Sequence, residues 1–527
     1  MAARMRTALR DDGGAVAIIV AVLLVVFVLL AAIAIDLGYA FNVRRQLQTA
    51  ADAGALAGAQ QLGRSGDAAE AEAVARDYAA RNAVAPADGL AVDGVSVGGN
   101  YVQVTTSKPF SRFFGKGLAG GSYVRATSRA KIGYVVGMRG ITPWFLAVVE
   151  PGDVSVSLKG SNNWTSLEGS GSTWSGGWSP GVSPNVVTDT KKGTRTVTGA
   201  LASVRIENKY GVPQVLDDAS VVVAQPTDTP VTSVDLSSYV VTSGAPFAVT
   251  VHANARARGV PKVDLDGRSL GAPSQVMSES GGTAYTFTGS APSLSGDVRS
   301  SFLGVSVGEG ASGKYAINRA AVLVVAQPSY VFTDVRIKPS YFPGPSGSTF
   351  VTVGVLGPDG FMEGQSYVLK QASDGAQYGN FFAVDLEGGG AAGYRELVAQ
   401  GSTSVVRVGQ VVYTLPGNMV GPTRQGLSDR IGGDTYTYDS WVAAGRPNTP
   451  RLVYVPIMDW MERPTGRTRV IVNGFAAFFV EDMPPGNSGR VVGRFVSFVA
   501  PGIPGDVPDP PQNALRTVRL VSEGVSY

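Results

Sequence analysis

Residues 13–62 read GGAVAIIVAVLLVVFVLLAAIAIDLGYAFNVRRQLQTAADAGALAGAQQL, and the reading of this stretch decides how the rest of the chain is arranged. Its residues 15–35 are 21 in number and carry no polar side chain, against the roughly 20 that cross a hydrocarbon core at about 1.5 Å per residue. In lipid the backbone must satisfy its own N–H and C=O groups, so a transmembrane helix is predicted despite the many β-branched residues. The helix leaves the lipid bilayer through Asp36, Tyr39 and the pair Arg44 and Arg45, which are expected at the membrane interface. Arg4, Arg6 and Arg10 on the short N-terminal side (residues 1–14) favour an inside N-terminus and an extracytoplasmic bulk. A cleaved signal peptide is the other reading, with Ala32-Ile33-Ala34 as its site. The apolar run is longer than the ~7–15 residues of a signal core and the helical pattern continues past Ala34, which favours an anchor.

Working outward, residues 36–62 set Leu37, Phe41, Leu47, Leu56 and Leu62 among alanines, with Gly54 and Gly58 four apart. Small residues at that spacing let a second helix approach closely, either from another protein or from the same domain. Residues 63–66 interrupt the pattern, and a second helix is predicted over 67–82 with Asp67 as N-cap and Glu70 three residues on. From residue 91 to 132 the apolar period becomes two, with Gly98-Gly99 and Gly120-Gly121 between the runs, which reads as a small antiparallel sheet. Residues 36–137 thus have the outline of a pilin-like α+β module.

Composition sets the remaining bounds. The 527 residues allow several cores, and 44 Lys+Arg against 41 Asp+Glu give a net charge of only +3, so no basic field draws the chain to nucleic acid. With 68 glycines and 31 prolines, turn-rich β modules are expected. No cysteine is present, so disulfides, thiolate nucleophiles and Cys-ligated zinc are excluded, and the single histidine, His252, leaves little imidazole chemistry.

The N-terminal lettering carries a resemblance. Gly14, the apolar run, Asp36-Leu37-Gly38, Arg45-Gln46-Leu47-Gln48-Thr49-Ala50-Ala51-Asp52-Ala53 and Ala55-Leu56-Ala57-Gly58-Ala59 resemble the N-terminal segment of the TadG/TadE-like tight-adherence (Flp) pilus-assembly family. Prepilin-type processing in such proteins resembles cleavage after a glycine that is followed five positions later by glutamate. Here Ile19 stands in that place after Gly14, which points to the TadG-like side. The resemblance implies a non-catalytic envelope protein whose partners are other pilus-assembly proteins or pilin subunits. The strings Gly379-Asn380-Phe381-Phe382-Ala383, Gly388-Gly389-Gly390, Tyr394-Arg395 and Pro416-Gly417-Asn418-Met419 look similar to the C-terminal region of some TadG-like proteins.

The rest of the chain reads as β. Residues 138–228 form a β-rich region whose Ser/Gly-rich loop carries Trp164, Trp174 and Trp178. Indole faces there could stack on a surface glycan, the basis of an alternative adhesin reading, or pack on a neighbouring sheet. Val222-Val223-Ala224-Gln225-Pro226 recurs as Val324-Val325-Ala326-Gln327-Pro328, and the residues that follow each copy also correspond. An offset near one hundred residues is the size of an immunoglobulin-like sandwich, predicted over 229–330. Residues 331–500 are expected to form a further β-rich domain, in which residues 475–480 make a central buried strand too short to span a membrane. Residues 501–527 are a Pro-rich tail. The expected fold class is therefore a membrane-anchored, multidomain, mainly β chain.

No catalytic set emerges. Gly115-x-Gly117-x-x-Gly120 and Gly308-x-Gly310-x-x-Gly313 fit a dinucleotide fingerprint as text, yet neither opens a helix, and both read as β-turns. His252 sits in an alternating strand pattern, and Asp264-Leu265-Asp266-Gly267 lacks the rest of a calcium loop. No cofactor or metal is expected, and an exported hydrolase is the least supported alternative.

Overall fold

A computed structural model describes residues 12–82, 89–110, 122–294, 296, 298–327, 330–338, 341–343, 349–356, 361–371, 381–481, 489–505 and 514–521. Arg4, Arg6, Arg10 and the Gly115–Gly120 string lie outside them. The chain divides into two units, one of residues 1–134, 498–506 and 516–527, the other of residues 135–497 and 507–515.

In the first unit, helix α1 (Asp12–Ser65) is 54 residues long and α2 (Ala68–Arg81) follows after one tight turn. The turn needs Gly66, whose φ is +70°, and Asp67 caps α2 by accepting from the Ala69 and Glu70 amides. Strands β1 (Ala91–Val97), β2 (Tyr101–Phe110) and β3 (Ser122–Met138) form an antiparallel sheet on these helices. The buried side chains are Ala55, Ala59, Leu62, Ala71, Ala75 and Ala79 from the helices and Val102, Val104, Ala130 and Ile132 from the sheet. The Pro-rich tail does more than trail off. Its strand Arg516–Val521 pairs antiparallel with Arg129–Tyr134 of β3, and Val518 packs against that core.

The second unit holds two sandwiches of one topology. The first uses β9 (Val231–Leu236), β10 (Pro246–Asn254), β11 (Ala257–Leu265), β12 (Gln275–Glu279), β13 (Gly282–Ser290), β14 (Val298–Glu309) and β15 (Gly313–Ala326). One sheet has the order β9–β10–β13–β12; the other has β11–β14–β15, with Val240–Val241 parallel to β15. This is immunoglobulin-type strand order. The alternation of β10 shows its cause: Phe247, Val249, Val251 and Ala253 are buried and the residues between them face outward.

The second sandwich repeats the pattern with strands from two distant stretches. β4 (Pro151–Leu158), β5 (Glu168–Ser170), β6 (Thr173–Trp178), β7 (Ala200–Asn208) and β8 (Pro213–Gln225) precede the first sandwich, whereas β16 (Phe332–Lys338) and β17 (Thr349–Val355) follow it. The sheets are β16–β17–β6–β5 and β4–β7–β8, with Tyr341–Pro343 parallel to β8 as Val240–Val241 is to β15. The repeated Val-Val-Ala-Gln-Pro marks the exit from β8 and from β15. After its second occurrence only three strands of a sandwich remain, and they close the one begun at residue 151. Strands β16 and β17 and residues Tyr341–Pro343, expected in a C-terminal domain, pair instead within the sandwich of residues 151–225. The boundary expected at 228 is also crossed, since Thr194–Thr198 pairs in parallel with Lys314–Asn318 of β15.

The remaining sheet centres on β19 (Arg469–Val480), which pairs with β18 (Leu452–Trp460), with β20 (Val491–Val496) and with Val411–Thr414. Residues 475–480 are fully buried there, as their two-sided apolar lettering predicts. Helices α3 (Gly390–Gln400), α4 (Val420–Ile431) and α5 (Tyr438–Ala443), which the β reading did not anticipate, accompany this sheet. Tyr394, Val398 and Leu427 face its core, where the Trp144 indole donates to the Tyr394 hydroxyl at 2.8 Å.

Candidate functional site: an exposed apolar helix and its docked half

Helix α1 changes character along its length. From Val16 to Phe41 its large apolar side chains are exposed, Phe27 at 66 % and Phe41 at 61 %, whereas Val43 and Leu47 are buried. It is the one helix among the described residues long and apolar enough to cross a membrane. Arg44 and Arg45 are exposed where the free and docked parts meet.

The docked part is a single stripe. Leu47, Ala50, Ala51, Gly54, Ala55, Gly58, Ala59 and Leu62 are all buried and recur at helical spacings of three and four. Gly54 and Gly58 do make a close helix contact, but its partner is α2 of the same chain. A Cβ on Gly54 would lie 2.7 Å from the Ala75 carbonyl oxygen and 2.8 Å from the Ala79 Cβ. On Gly58 it would meet the Ala75 Cβ at 2.7 Å and Val102 at 3.0 Å. The two glycines are covered by α2, so the assembly reading of this pair is corrected. Ala71, Ala75 and Ala79, four apart and buried, form the small-residue face of α2 that the glycines meet.

The tryptophans do not form a ligand loop. Trp174 and Trp178 lie on β6 and are 9 % and 4 % exposed in the core shared with Val351 and Val353 of β17. Their indole faces are spent on the sandwich, which corrects the glycan reading for this pair. Trp164 is partly exposed, with the Arg205 guanidinium 4.8 Å above its ring.

The text-level decoys resolve as turns and pairs. Gly310 turns the β14–β15 hairpin with φ +58°. His252 lies 2.8 Å from Glu279 and 3.5 Å from Asp235 on an exposed sheet face, and its cross-strand neighbour Ser233 donates to Asp235 at 3.1 Å and not to the imidazole, so the order of a triad is not made. Among the described residues no group of acidic or histidine side chains could hold a metal ion. Asp459 and Lys370 are among the deeply buried ionisable groups. Burial pushes the Asp459 carboxyl up to about 6, while it accepts from Asn208 Nδ2 at 3.0 Å and from the Trp460 and Glu150 amides. Burial lowers Lys370 to about 8, and its ammonium is caged by the Asn418 carbonyl at 2.6 Å, the Asn418 side-chain oxygen at 3.1 Å and the Gly489 carbonyl at 3.0 Å. Both groups bind protein atoms from two stretches of chain and act as internal ties.

These features define a class: an α+β module built on the second half of a long apolar helix, joined in one chain to immunoglobulin-type sandwiches. Residues 14–61 match the family described as "Putative Flp pilus-assembly TadE/G-like". The N-terminal segment is thus TadE/G-like, and the match ends at the last turn of the docked stripe. No curated protein and no solved structure matches the chain.

Proposed function

We propose that this protein is a single-pass anchor of the bacterial cytoplasmic membrane, N-terminus inside, that serves assembly or anchoring of a tight-adherence pilus without catalysing a reaction. The family match over residues 14–61 carries this reading, because it covers the apolar run together with the stripe on which the module folds. Residues 15–35 hold the chain in the bilayer, residues 36–137 with the C-terminal strand form the α+β module, and the β-rich unit meets pilus-system partners. The glycan-binding alternative loses its basis with Trp174 and Trp178 in the core, and the pocket between α3 and α4, which Glu396 and Asp429 line, gives the hydrolase alternative little, because Asp429 is paired with Arg395 at 2.7 Å.

Deletion and complementation test the reading. Surface pili should be lost in a deletion strain, return with the full chain, and not return when residues 15–35 are exchanged for a cleavable leader. Normal piliation in the deletion strain would refute it. Orientation is read separately, since a cysteine at Asn100 would be the chain's sole thiol. An impermeant maleimide added outside spheroplasts should label it.

A further inference from the structure

The sheet of the first unit runs along α1 toward the apolar half of the helix. Near one end of the contact, Ala126 packs with Val43 and Leu47, and Thr106 donates to the Leu47 carbonyl at 3.0 Å. Near the other, Ile132 packs with Leu62 and lies beside Gly63. Between these points β3 advances six residues, about 20 Å at ~3.3 Å each, while α1 advances fifteen, about 22 Å at ~1.5 Å each. Strand and helix are therefore nearly parallel and point the same way. Three residues back from Ala126, Tyr123 stands about 10 Å lower, level with helix residue 40 or so. A headgroup layer of about 5–7 Å beyond a core ending near Ile35 reaches the same level.

We propose that this end of the sheet rests in the headgroup layer and takes anionic phospholipid headgroups. The proposal depends on α1 spanning a bilayer. Tyr123 is 65 % exposed, an amphipathic ring where interfacial tyrosines are favoured. The Arg125 side chain, two residues up the same face, is 70 % exposed and lies 3.2 Å from Asp93. Arg44 and Arg45 are exposed on α1 a turn above that level. Near this level the cations among the described residues are Arg44 and Arg45 on α1 and Lys108 and Arg125 on the sheet, against Asp36 and the Arg125-paired Asp93. This excess of positive charge, with an exposed tyrosine on the same sheet end, fits phosphate-bearing headgroups better than a neutral surface. The module would then be held at a fixed height and tilt, beyond what a single helix fixes.

The full chain has no cysteine, so Tyr123→Cys, Asn100→Cys and Leu24→Cys variants each carry one fluorophore in nanodiscs. A headgroup spin label should quench position 123 several-fold more than position 100, which lies about 30 Å farther along the sheet by strand rise. Quenching at 123 should increase in phosphatidylglycerol discs over phosphatidylcholine discs, and that increase should vanish with Arg44→Gln, Arg45→Gln and Arg125→Gln combined. Equal quenching at 123 and 100 overturns the seating, and quenching at 123 indifferent to lipid charge overturns the anionic preference. An acyl-chain spin label should quench position 24. Its failure to do so would instead refute the spanning helix.

Discussion

Replacing Gly54 and Gly58 with alanine tests whether these glycines serve the chain's own fold. Each new Cβ would lie about 2.7 Å from backbone or alanine atoms of α2, so the helices must part by about half an ångström or more to restore ordinary contact. Overpacking of this kind costs about 1–3 kcal/mol per site, and each Gly→Ala exchange returns about 1 kcal/mol of helix propensity. The double variant should therefore be less stable by about 2 kcal/mol on balance. The loss falls on α2, a 14-residue helix whose buried side chains are only Ala71, Ala75 and Ala79. Such a helix is marginal alone, so its opening is the lowest-energy escape. Hydrogen exchange of residues 68–81 in the detergent-solubilised full chain should accelerate by about 30-fold, the equivalent of 2 kcal/mol. Gly38→Ala is the control, because nothing lies within 4 Å of its Cβ position, and it should leave that exchange unchanged. Unchanged protection of α2 in the double variant, with loss of self-association, would refute the intrachain assignment and restore the assembly reading.

Four further outcomes are expected. Trp174→Ala should destabilise the second unit by about 3–5 kcal/mol in urea unfolding, while Trp164→Ala, which loses a partly exposed cation–π contact, should change it by about 1 kcal/mol or less. Asp459 has a folded pKa raised to about 6, so its ionised form opposes folding at neutral pH by about 3 kcal/mol. That penalty should be relieved as pH falls from about 6 toward the unfolded value near 4, and the stability difference between wild type and Asp459→Asn should follow this window. Truncation after Leu515 removes the strand paired with Arg129–Tyr134, and exchange of β3 over those residues should rise well above that of the intact chain. Cysteines at Ser175 and Thr352, which face each other across β6 and β17, should oxidise within a monomer; a disulfide found solely between copies would refute the closure of the second sandwich.

The anchor and the module were legible because their signals are local. An unbroken apolar run, a cap at Asp67 and a change of period at residue 91 each need only neighbours in sequence to be read. The glycine contact was half legible: spacing gives the close approach, but the partner depends on α2, whose alanines carry no lettering that separates an inner face from an outer one. The tryptophans show the opposite failure. A Ser/Gly-rich neighbourhood hides a strand when its buried partners, Val351 and Val353, lie about 170 residues away. Helices α3 and α4 begin after Gly389 and Met419, both with positive φ and no side-chain cap, so the usual start signals are missing.

The repeat was legible as text, and its frame was not. Two copies of Val-Val-Ala-Gln-Pro fix the period, but a periodic pattern is the same wherever the cut between modules is made. The cut follows from which strands have partners. β4–β8 lack the first three strands of a sandwich, and β16, Tyr341–Pro343 and β17 lack everything after them, so either set alone would leave a half-covered apolar face. Their union buries Val154, Val156, Val204, Ile206, Val335, Ile337, Val351 and Val353 in one core. The first sandwich is thereby enclosed between the two parts of the second. The closing strands must wait for the chain between them to be made, which makes β6–β17 pairing the strand contact of highest loop-closure cost within the two sandwiches. A destabilising change there should slow folding of the second sandwich more than that of the first, whose strands are continuous in sequence.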